Sequence, residues 1–205
     1  GSKKLISRNI NYKILENERE ESIKDLKNAI EPLKKNINNI NKYIICAGCR
    51  CCEKICPVNA IEMKENKEGF IEPVVNEEKC ISCGLCLKRC PQINKLEIEE
   101  IEQKAYATQN KNDEDLKISS SGGMFIAFAK NIISRDGVVY GAAYDQNLKV
   151  NHIRVENIEE LKLLQGSKYV QSDTADTFEQ TKNDLISGRK VLFSGTPCQI
   201  AGLKQ

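Results

Sequence analysis

The chain has 205 residues, with 31 Lys and Arg against 29 Asp and Glu and a net charge of +2. Basic residues are interspersed with acidic ones, which argues against a nucleic-acid-binding patch, and no stretch approaches the ~20 apolar residues of a membrane span. Ten cysteines without an apolar secretion signal predict a protein of the reducing cytoplasm, and the length allows one small domain and one further domain.

The first segment, residues 1–42, is predicted to be helical. Over residues 18–41, apolar residues recur at spacings of three and four, which places them in one narrow helical stripe. They are Ile23, Leu26, Ile30, Leu33, Ile37 and Ile40. Pro32 is expected to start a second helix, because proline is tolerated in the first turn. The stripe favours packing onto the same chain, and the alternative is a coiled-coil seam for self-association.

Two cysteine runs with identical spacing dominate the next segment, residues 43–92. Each has the pattern Cys-x-x-Cys-x-x-Cys-x-x-x-Cys-Pro, which is typical of loops that hold [4Fe-4S] clusters. The first run contains Cys46, Cys49, Cys52 and Cys56, and the second contains Cys80, Cys83, Cys86 and Cys90. In two-cluster ferredoxins the cysteine before the proline binds the other cluster. We therefore assign Cys90 to the first cluster and Cys56 to the second.

Structural zinc and a disulfide framework are the alternatives for these cysteines. Zinc usually takes two short Cys-x-x-Cys pairs far apart in sequence, whereas each of these runs would overfill a tetrahedral site. Disulfides within runs this dense would close strained short loops. Cys51 has no counterpart in the second run, where Leu85 precedes Cys86. It is predicted to be a spare thiol, and the alternative is a substitute ligand.

A β-hairpin is predicted between the two runs. Residues 60–63 and 70–75 flank a polar turn, and Pro73 is expected at an edge because proline cannot donate a ladder hydrogen bond. With the cysteine spacing, this layout resembles the bacterial dicluster ferredoxins over about fifty residues. An acidic linker is predicted at residues 93–103.

The pattern changes to α/β over residues 104–205. The predicted strands are 104–109, 138–144, 150–155 and 191–194, and the predicted helices are 124–134, 158–164 and 174–186. The first of these helices is expected to place Phe125, Phe128, Ile132 and Ile133 on its apolar side. The predicted fold class is α+β, with an N-terminal helical segment, a ferredoxin-like dicluster domain and a partial α/β domain.

A serine-glycine turn precedes the helix at 124–134. Ser119, Ser120, Ser121, Gly122 and Gly123 would offer hydroxyl and backbone donors at the positive end of the helix dipole. Such a turn suits a phosphate or an anionic flavin edge. An ordinary helix cap explains the serines equally well.

Cys198 and His152 are further candidates for chemistry. Cys198 follows a buried-type strand and precedes a predicted helix, whose dipole would lower the thiol pKa and favour a nucleophile or metal ligand. Its alternative is a small buried thiol. His152, the only histidine, lies in an alternating strand and is predicted to be structural or exposed rather than a proton carrier.

Four motifs in the second half carry a further resemblance. They occupy residues 119–125, 137–142, 166–172 and 192–199, and their first members are Ser119, Gly137, Gly166 and Leu192. Together, over residues 104–205, they resemble the N-terminal domain of the family of coenzyme F(420) hydrogenase/dehydrogenase β-subunits. Its members are iron-sulfur flavoproteins that pass electrons between clusters, FAD and a second substrate such as the deazaflavin coenzyme.

This resemblance implies a set of flavin-site residues. They are Ser120, Ser121, Gly122, Gly123, Ser167, Lys168 and Tyr169. Cys198, the catalytic candidate, would lie near the flavin or near a further cluster. Because the sequence ends at Gln205, the C-terminal domain of the family is expected to be absent.

The sequence therefore predicts an iron-sulfur electron-transfer protein that forms part of a flavoprotein oxidoreductase. The expected cofactors are two [4Fe-4S] clusters and FAD. The expected partner is a redox protein or a flavin-linked substrate. The alternative is a plain electron carrier or docking module whose second half binds only a partner protein.

Overall fold

The computed structural model describes residues 20–22, 24, 36–38, 40, 45–94 and 104–205. The chain divides into two compact units, residues 1–35 and 36–205. In the first unit, the described residues 20–22 and 24 are helical and exposed. Most of the predicted N-terminal helix and residues 95–103 of the predicted linker lie outside the described residues.

The second unit contains two hydrophobic cores. We call residues 36–94 the cysteine-rich lobe and residues 104–205 the C-terminal lobe. The cysteine-rich lobe contains helices α1 (Cys51–Lys54) and α2 (Leu85–Lys88) and strands β1 (Ile61–Glu65) and β2 (Ile71–Val75).

The cysteine-rich lobe repeats one local design. Each cysteine run forms a loop that ends in a short helix, and the residue before each helix has a positive φ, 61° at Arg50 and 72° at Gly84. The predicted hairpin between the runs is confirmed, because β1 and β2 pair antiparallel with Ile61 opposite Val75. Alternate residues of β1 point into the core, as the period-two pattern requires.

Ile37 and Ile40 are buried in the core of the cysteine-rich lobe. These two members of the predicted apolar stripe therefore pack onto the same chain. However, residues 36–38 form a bend and a turn rather than the predicted α-helix. Asn38 explains part of this conformation, because its side chain accepts a hydrogen bond from the Val75 amide at 3.2 Å.

The C-terminal lobe has three strands and five helices among its described residues. In chain order they are α3 (Asp113–Lys117), α4 (Met124–Ile133), β3 (Val138–Tyr144), β4 (Val150–Val155), α5 (Leu161–Leu164), α6 (Thr177–Ile186), β5 (Val191–Phe193) and α7 (Pro197–Leu203).

The sheet has the order β4-β3-β5, with β3 antiparallel to β4 and parallel to β5. The central strand is the most buried part of the lobe, and Val138, Val139 and Tyr140 are fully buried. Helix α4 covers the strand with Ile126 and Ala129. A side-chain hydrogen bond also connects the two outer strands, which are not neighbours in the sheet. The His152 ring of β4 is hydrogen-bonded to the carbonyl of Ser194, directly after β5.

Three details of the predicted second half are wrong. The strand before Cys198, predicted to be of the buried type, is only partly buried. Residues 104–109 form no strand, and their side chains are exposed. Phe128 does not belong to the buried face of α4, because its side chain is 58 % exposed. The inward face is set by Ile126 and Ala129 instead. The strands β3 and β4 and the helix α4 are confirmed at their predicted positions.

Candidate functional site

The first cysteine run forms a tight loop around Gly48. Its φ of +64° is in the left-handed region, and a Cβ at this position would lie 2.3 Å from Gln171 Nε2 and 2.9 Å from the Ile71 side chain. Only glycine fits there without displacing a neighbour. The Gly48 amide lies 3.4 Å from Cys46 Sγ and donates to it. The loop thus presents its sulfur atoms while pressing against the C-terminal lobe.

Cys90, the last cysteine of the second run, lies close to the thiols of the first run. Burial is the main cause of the raised pKa values of Cys46, Cys49 and Cys52, and that of Cys49 reaches about 11. Cys90 adds to the increase at all three, because each thiolate would repel the other. Cys46, Cys49, Cys52 and Cys90 line one small pocket together with Cys51, so the structure brings together the four cysteines that the spacing assigned to the first cluster.

The second group is formed by Cys80, Cys83 and Cys86. Burial raises the pKa of Cys86, and the Cys83 and Cys80 thiols raise it further. Cys56 packs against the core that contains Cys86. Cys83 is exposed, so this loop reaches the protein surface. The assignment of Cys56 to the second cluster remains a prediction.

Several N–H groups are directed at the cysteine sulfur atoms. The Ala60 amide donates to Cys56 Sγ at 3.3 Å, and Asn36 Nδ2 donates to Cys80 Sγ at 3.7 Å. Such hydrogen bonds stabilise the negative charge on a cluster and are one of the means by which a protein sets its reduction potential.

Cys51 is buried beside the predicted ligands and is distinguished by a hydrogen bond to the backbone of the second run. Its thiol donates a hydrogen bond to the Arg89 carbonyl at 3.3 Å, and burial raises its pKa to about 12. A neutral, hydrogen-bonded thiol fits this position. The geometry supports the interpretation of Cys51 as a spare thiol.

No three His, Cys, Asp or Glu side chains among the residues that the structure describes converge on a single metal-ion position. A cubane makes a different demand, because each of its four thiolates binds a different iron atom.

A cavity of about 710 Å³ lies between the two lobes. Cys46 and Ala47 of the first loop contribute to its wall, together with Lys168, Thr196 and Cys198 of the C-terminal lobe. Its size falls within the range of cofactor pockets, about 300–1,000 Å³. The first cysteine loop and the start of α7 therefore face one common space.

Cys198 lies in the first turn of α7. Thr196 caps this helix through a capping box with Gln199, and the Thr196 hydroxyl is 3.0 Å from Cys198 Sγ. Cys198 and Cys46 line the same cavity, which places the start of α7 next to the first cysteine loop. The predicted location at a helix start is confirmed, and the predicted catalytic role remains a prediction.

His152 is part of a hydrogen-bonded network in the wall of the cavity. Its Nε2 is 3.0 Å from the Ser194 carbonyl, which can only accept, so Nε2 carries the hydrogen of the neutral ring. Its Nδ1 then accepts from the Ser172 hydroxyl at 2.7 Å. Burial lowers its pKa, and its ring stacks on Phe193 at 5.3 Å. The structural interpretation of His152 is therefore supported.

Gln199 extends this network to the start of α7. Its Nε2 donates to the Ser172 carbonyl at 3.1 Å, and its Oε1 accepts from the Thr196 amide at 2.9 Å. The side chain is buried. Gln199 was not identified as a site residue from the sequence, although it follows Cys198 directly and occupies the N3 position that a capping box requires.

Of the seven residues expected to line a flavin site, Lys168 lines the cavity. Its ammonium group donates to the carbonyls of Leu163 at 3.1 Å and Gln165 at 2.7 Å, and burial lowers its pKa. Tyr169 is exposed. The Ser167 amide donates to Ser120 Oγ at 2.9 Å, so the two predicted segments contact each other.

The glycines of the serine-glycine turn have a packing role. A Cβ at Gly122 would lie 2.5 Å from the Thr108 carbonyl oxygen, and one at Gly123 would lie 3.0 Å from Asn110 Cβ. Gly123 also has a φ of +70°. Close packing against residues 108–110 accounts for both glycines, and Ser120, Ser121, Gly122 and Gly123 do not line the cavity. Flavin contact by this turn remains a prediction.

Residues 171–176 connect the two lobes, a role that no local sequence pattern indicated. Asp173 pairs with Arg50, whose Nη2 lies 2.7 Å from its Oδ2. Gln171 Oε1 accepts from the Ile71 amide at 2.9 Å. The backbone of Asp173 also accepts from the His152 amide at 2.7 Å. One short segment therefore holds the first cysteine loop, the hairpin and β4 together.

Comparison with known proteins identifies the cysteine-rich lobe. Residues 45–93 match the family model of the 4Fe-4S dicluster domain. This segment is a dicluster ferredoxin domain. The match supports [4Fe-4S] clusters in this segment and a function in iron-sulfur electron transfer. Within the part of the chain that is described, no helix is long and apolar enough to cross a membrane.

Two relatives align with most of the chain. Coenzyme F420-dependent sulfite reductase of Methanocaldococcus jannaschii is 28 % identical over 172 residues, which cover 82 % of this chain and 26 % of that protein. The second relative, from Methanosarcina mazei, is an F(420)H(2) dehydrogenase subunit. It is 21 % identical over 176 residues, which cover 80 % of this chain and 49 % of the relative.

A third relative matches the dicluster domain alone. Ferredoxin-type protein NapF of Haemophilus influenzae is 38 % identical over 55 residues, 27 % of this chain and 31 % of that protein. The chain thus spans between about a quarter and a half of the length of these three relatives.

Proposed function

We propose that this chain is the electron-transfer portion of an iron-sulfur flavoprotein oxidoreductase. One observation carries the proposal: Cys46 of the first cysteine loop lines the same cavity as Lys168 and the start of α7. A redox cofactor in this cavity would contact the wall formed by the first cluster loop. Two of the relatives that align with both lobes are, by name, a reductase and a dehydrogenase subunit, which supports an oxidoreductase.

The proposed cluster ligands are those that the cysteine spacing predicts. The first cluster would be held by Cys46, Cys49, Cys52 and Cys90, and the second by Cys80, Cys83, Cys86 and Cys56. The first is covered by α7, since a Cβ at Gly202 would lie 3.2 Å from Cys49 Sγ. The second is nearer the surface, since Cys83 is exposed. Electrons would therefore enter at the second cluster and reach the cavity through the first.

FAD is the cofactor that we propose for the cavity. When bound, a flavin exchanges single electrons with iron-sulfur clusters and electron pairs with an organic substrate. Lys168 would offset negative charge on the ligand, and Gly195 and Thr196 provide backbone close to the ligand space. The fit rests on the cavity volume and this lining.

The residues around the cavity hold its shape without taking part in electron transfer. The His152, Ser172 and Gln199 network fixes the start of α7. Both nitrogens of His152 are occupied, so the ring acts as a spacer and not as a proton carrier. The Arg50–Asp173 pair fixes the first cysteine loop against β4.

Domain boundaries at residues 43–92 and 104–205 are part of this proposal, as is cytoplasmic localisation. The names of the relatives favour a redox partner protein, because one is a dehydrogenase subunit, and another belongs to the ion-translocating oxidoreductase complex of Methanosarcina acetivorans.

Anaerobic reconstitution with iron, sulfide and FAD tests the proposal. We expect about eight iron and eight sulfide per chain, with visible absorption that dithionite bleaches. We also expect FAD to remain bound after gel filtration, and Lys168→Ala to reduce its retention while leaving the iron content unchanged. Full iron content with no FAD in either protein would favour a plain electron carrier. About two zinc ions per chain would contradict the cluster assignment.

A further inference from the structure

The dicluster domain contributes more than thiols to the cavity. The tip of its hairpin, residues 66–72, also lines this space through Asn66, Glu68, Phe70 and Glu72. None of these residues belongs to a cysteine motif or to the four motifs of the C-terminal lobe. A hairpin that served only to separate the cysteine runs would not need a defined position at a ligand cavity.

The hairpin tip is held in one conformation. Asn66 Oδ1 accepts from the amides of Glu68 at 2.9 Å and Phe70 at 3.0 Å, and the Asn66 amide donates to the Phe70 carbonyl at 2.8 Å. Asn66 Nδ2 also donates to Glu72 Oε1 at 2.6 Å. The backbone of Phe70 is therefore fixed from both its amide and its carbonyl.

A contact next to Phe70 fixes the hairpin against the C-terminal lobe. The amide of the next residue, Ile71, donates to Gln171 Oε1 at 2.9 Å. Gln171 itself lines the cavity. The position of the Phe70 ring relative to the cavity therefore depends on the turn and on a contact between the lobes, rather than on a free loop.

Phe70 nevertheless leaves 52 % of its surface exposed. A ligand bound in the cavity would remove this apolar surface from water, which would favour binding. Because the turn is rigid, the ring is already positioned for such a contact. Phe125 reaches the same cavity from the first turn of α4. Two aromatic rings, one from each lobe, thus line one space, and aromatic faces bind planar conjugated heterocycles by stacking.

We propose that Phe70 is a ligand-binding residue that contacts the planar ring system of the heterocycle bound in this cavity. The dicluster domain then supplies part of the binding surface for the cofactor with which it exchanges electrons. This inference rests on the proposed flavin function and deepens it, because it names the isoalloxazine ring, and not the phosphate or ribose portion, as the moiety that the hairpin recognises.

Titration calorimetry on the reconstituted 205-residue chain tests this inference with FAD, riboflavin and ADP as probes. We expect Phe70→Ala to raise the Kd of FAD and of riboflavin by the same factor, about two- to tenfold, and to leave the Kd of ADP unchanged. Phe70→Tyr keeps the ring and should retain wild-type affinity, whereas Phe70→Leu keeps much of the apolar volume and should weaken binding.

Phe128→Ala is the matched control, because Phe128 is also half-exposed and does not line the cavity. It should change none of the three Kd values. Iron and sulfide content, measured for every variant, identifies folding damage, and Phe70→Leu decides the matter if Phe70→Ala loses iron. Wild-type affinity for riboflavin in both Phe70→Ala and Phe70→Leu would overturn the inference about Phe70 but not the proposed flavin function. A wild-type chain that binds neither flavin would overturn the proposed flavin function as well.

Discussion

The contact between Arg50 and Asp173 offers a direct test of how the two lobes are held together. Arg50 Nη2 donates to Asp173 Oδ2 at 2.7 Å, and a second bond joins Arg50 Nε to Oδ1. Asp173→Asn keeps the shape of the side chain but removes its charge and turns one acceptor into a donor facing the guanidinium. The backbone bonds of residue 173 to β4 do not depend on the side chain.

The free energy of unfolding that Asp173→Asn is expected to lose lies between two limits. Removing one partner of a fully buried ion pair costs about 3–5 kcal/mol, whereas exposed pairs contribute about 0–1 kcal/mol. The side chains are 14 % exposed at Arg50 and 28 % exposed at Asp173. Glu53 still accepts from Arg50 Nη1 at 2.8 Å, so the guanidinium keeps one partner. We therefore expect Asp173→Asn to lower the free energy of unfolding by about 1–3 kcal/mol.

The stabilisation also has a defined pH dependence. Burial raises the pKa of Asp173, but the hydrogen bonds from Arg50 and the Ala175 amide outweigh this effect, so the pKa lies below its ordinary value. A carboxylate with a lowered pKa stabilises the fold fully above its unfolded pKa of about 3.9 and loses that contribution as the pH falls through the folded value. The difference between wild type and Asp173→Asn should be constant near neutral pH and shrink below about pH 4.

Urea unfolding of the reconstituted chain, followed by cluster absorbance and circular dichroism, measures this difference. Asp176→Asn is the control, because Asp176 pairs with Lys54 between the same lobes but its side chain is 70 % exposed. It should cost less than about 1 kcal/mol. An Asp173→Asn variant no less stable than Asp176→Asn would refute the view that this pair fixes the cysteine loop.

Three further substitutions test the cluster assignments. Cys56→Ser should weaken the second cluster and leave the first, which separate signals in electron paramagnetic resonance would show; loss of the first signal instead would contradict the exchange of ligands. Cys51→Ser should retain full iron content, since this thiol bonds the Arg89 carbonyl; loss of about four iron atoms would make it a ligand. Gly202→Val should alter the first signal, because a Cβ there lies 3.2 Å from Cys49 Sγ; an unchanged spectrum would mean that α7 adjusts freely.

Features fixed by neighbouring residues could be predicted from the sequence. The cysteine spacing depends on how short loops reach around a cluster, and it marked the segment that matches the dicluster domain. The hairpin, α4, β3 and β4 also follow from local patterns of period two and period 3.6. The predicted strand at 104–109 was wrong because local alternation cannot show whether a partner strand is available.

The composition of the site could not be predicted in the same way. Arg50 and Asp173 are separated by 123 positions, and Ile71 and Gln171 by 100. None of these four residues has a distinctive pattern in its own segment. The two pairs connect the lobes only because the lobes pack against each other. Phe70 is a similar case, because an exposed phenylalanine at a hairpin tip has no distinctive sequence signal.

The motif at residues 166–172 shows how a sequence motif and the packing of the two lobes together determine a site. The family resemblance connected it with flavin, yet Tyr169 is exposed and Ser167 contacts Ser120. Its last two residues have clearer structural roles: Gln171 holds the hairpin, and Ser172 holds His152 and Gln199. The motif therefore positions the walls of the cavity at least as much as it lines the space. In the proposed function, the separation between the first cluster and the flavin then depends on Gln171 and Ser172, which line the cavity but are not cluster ligands.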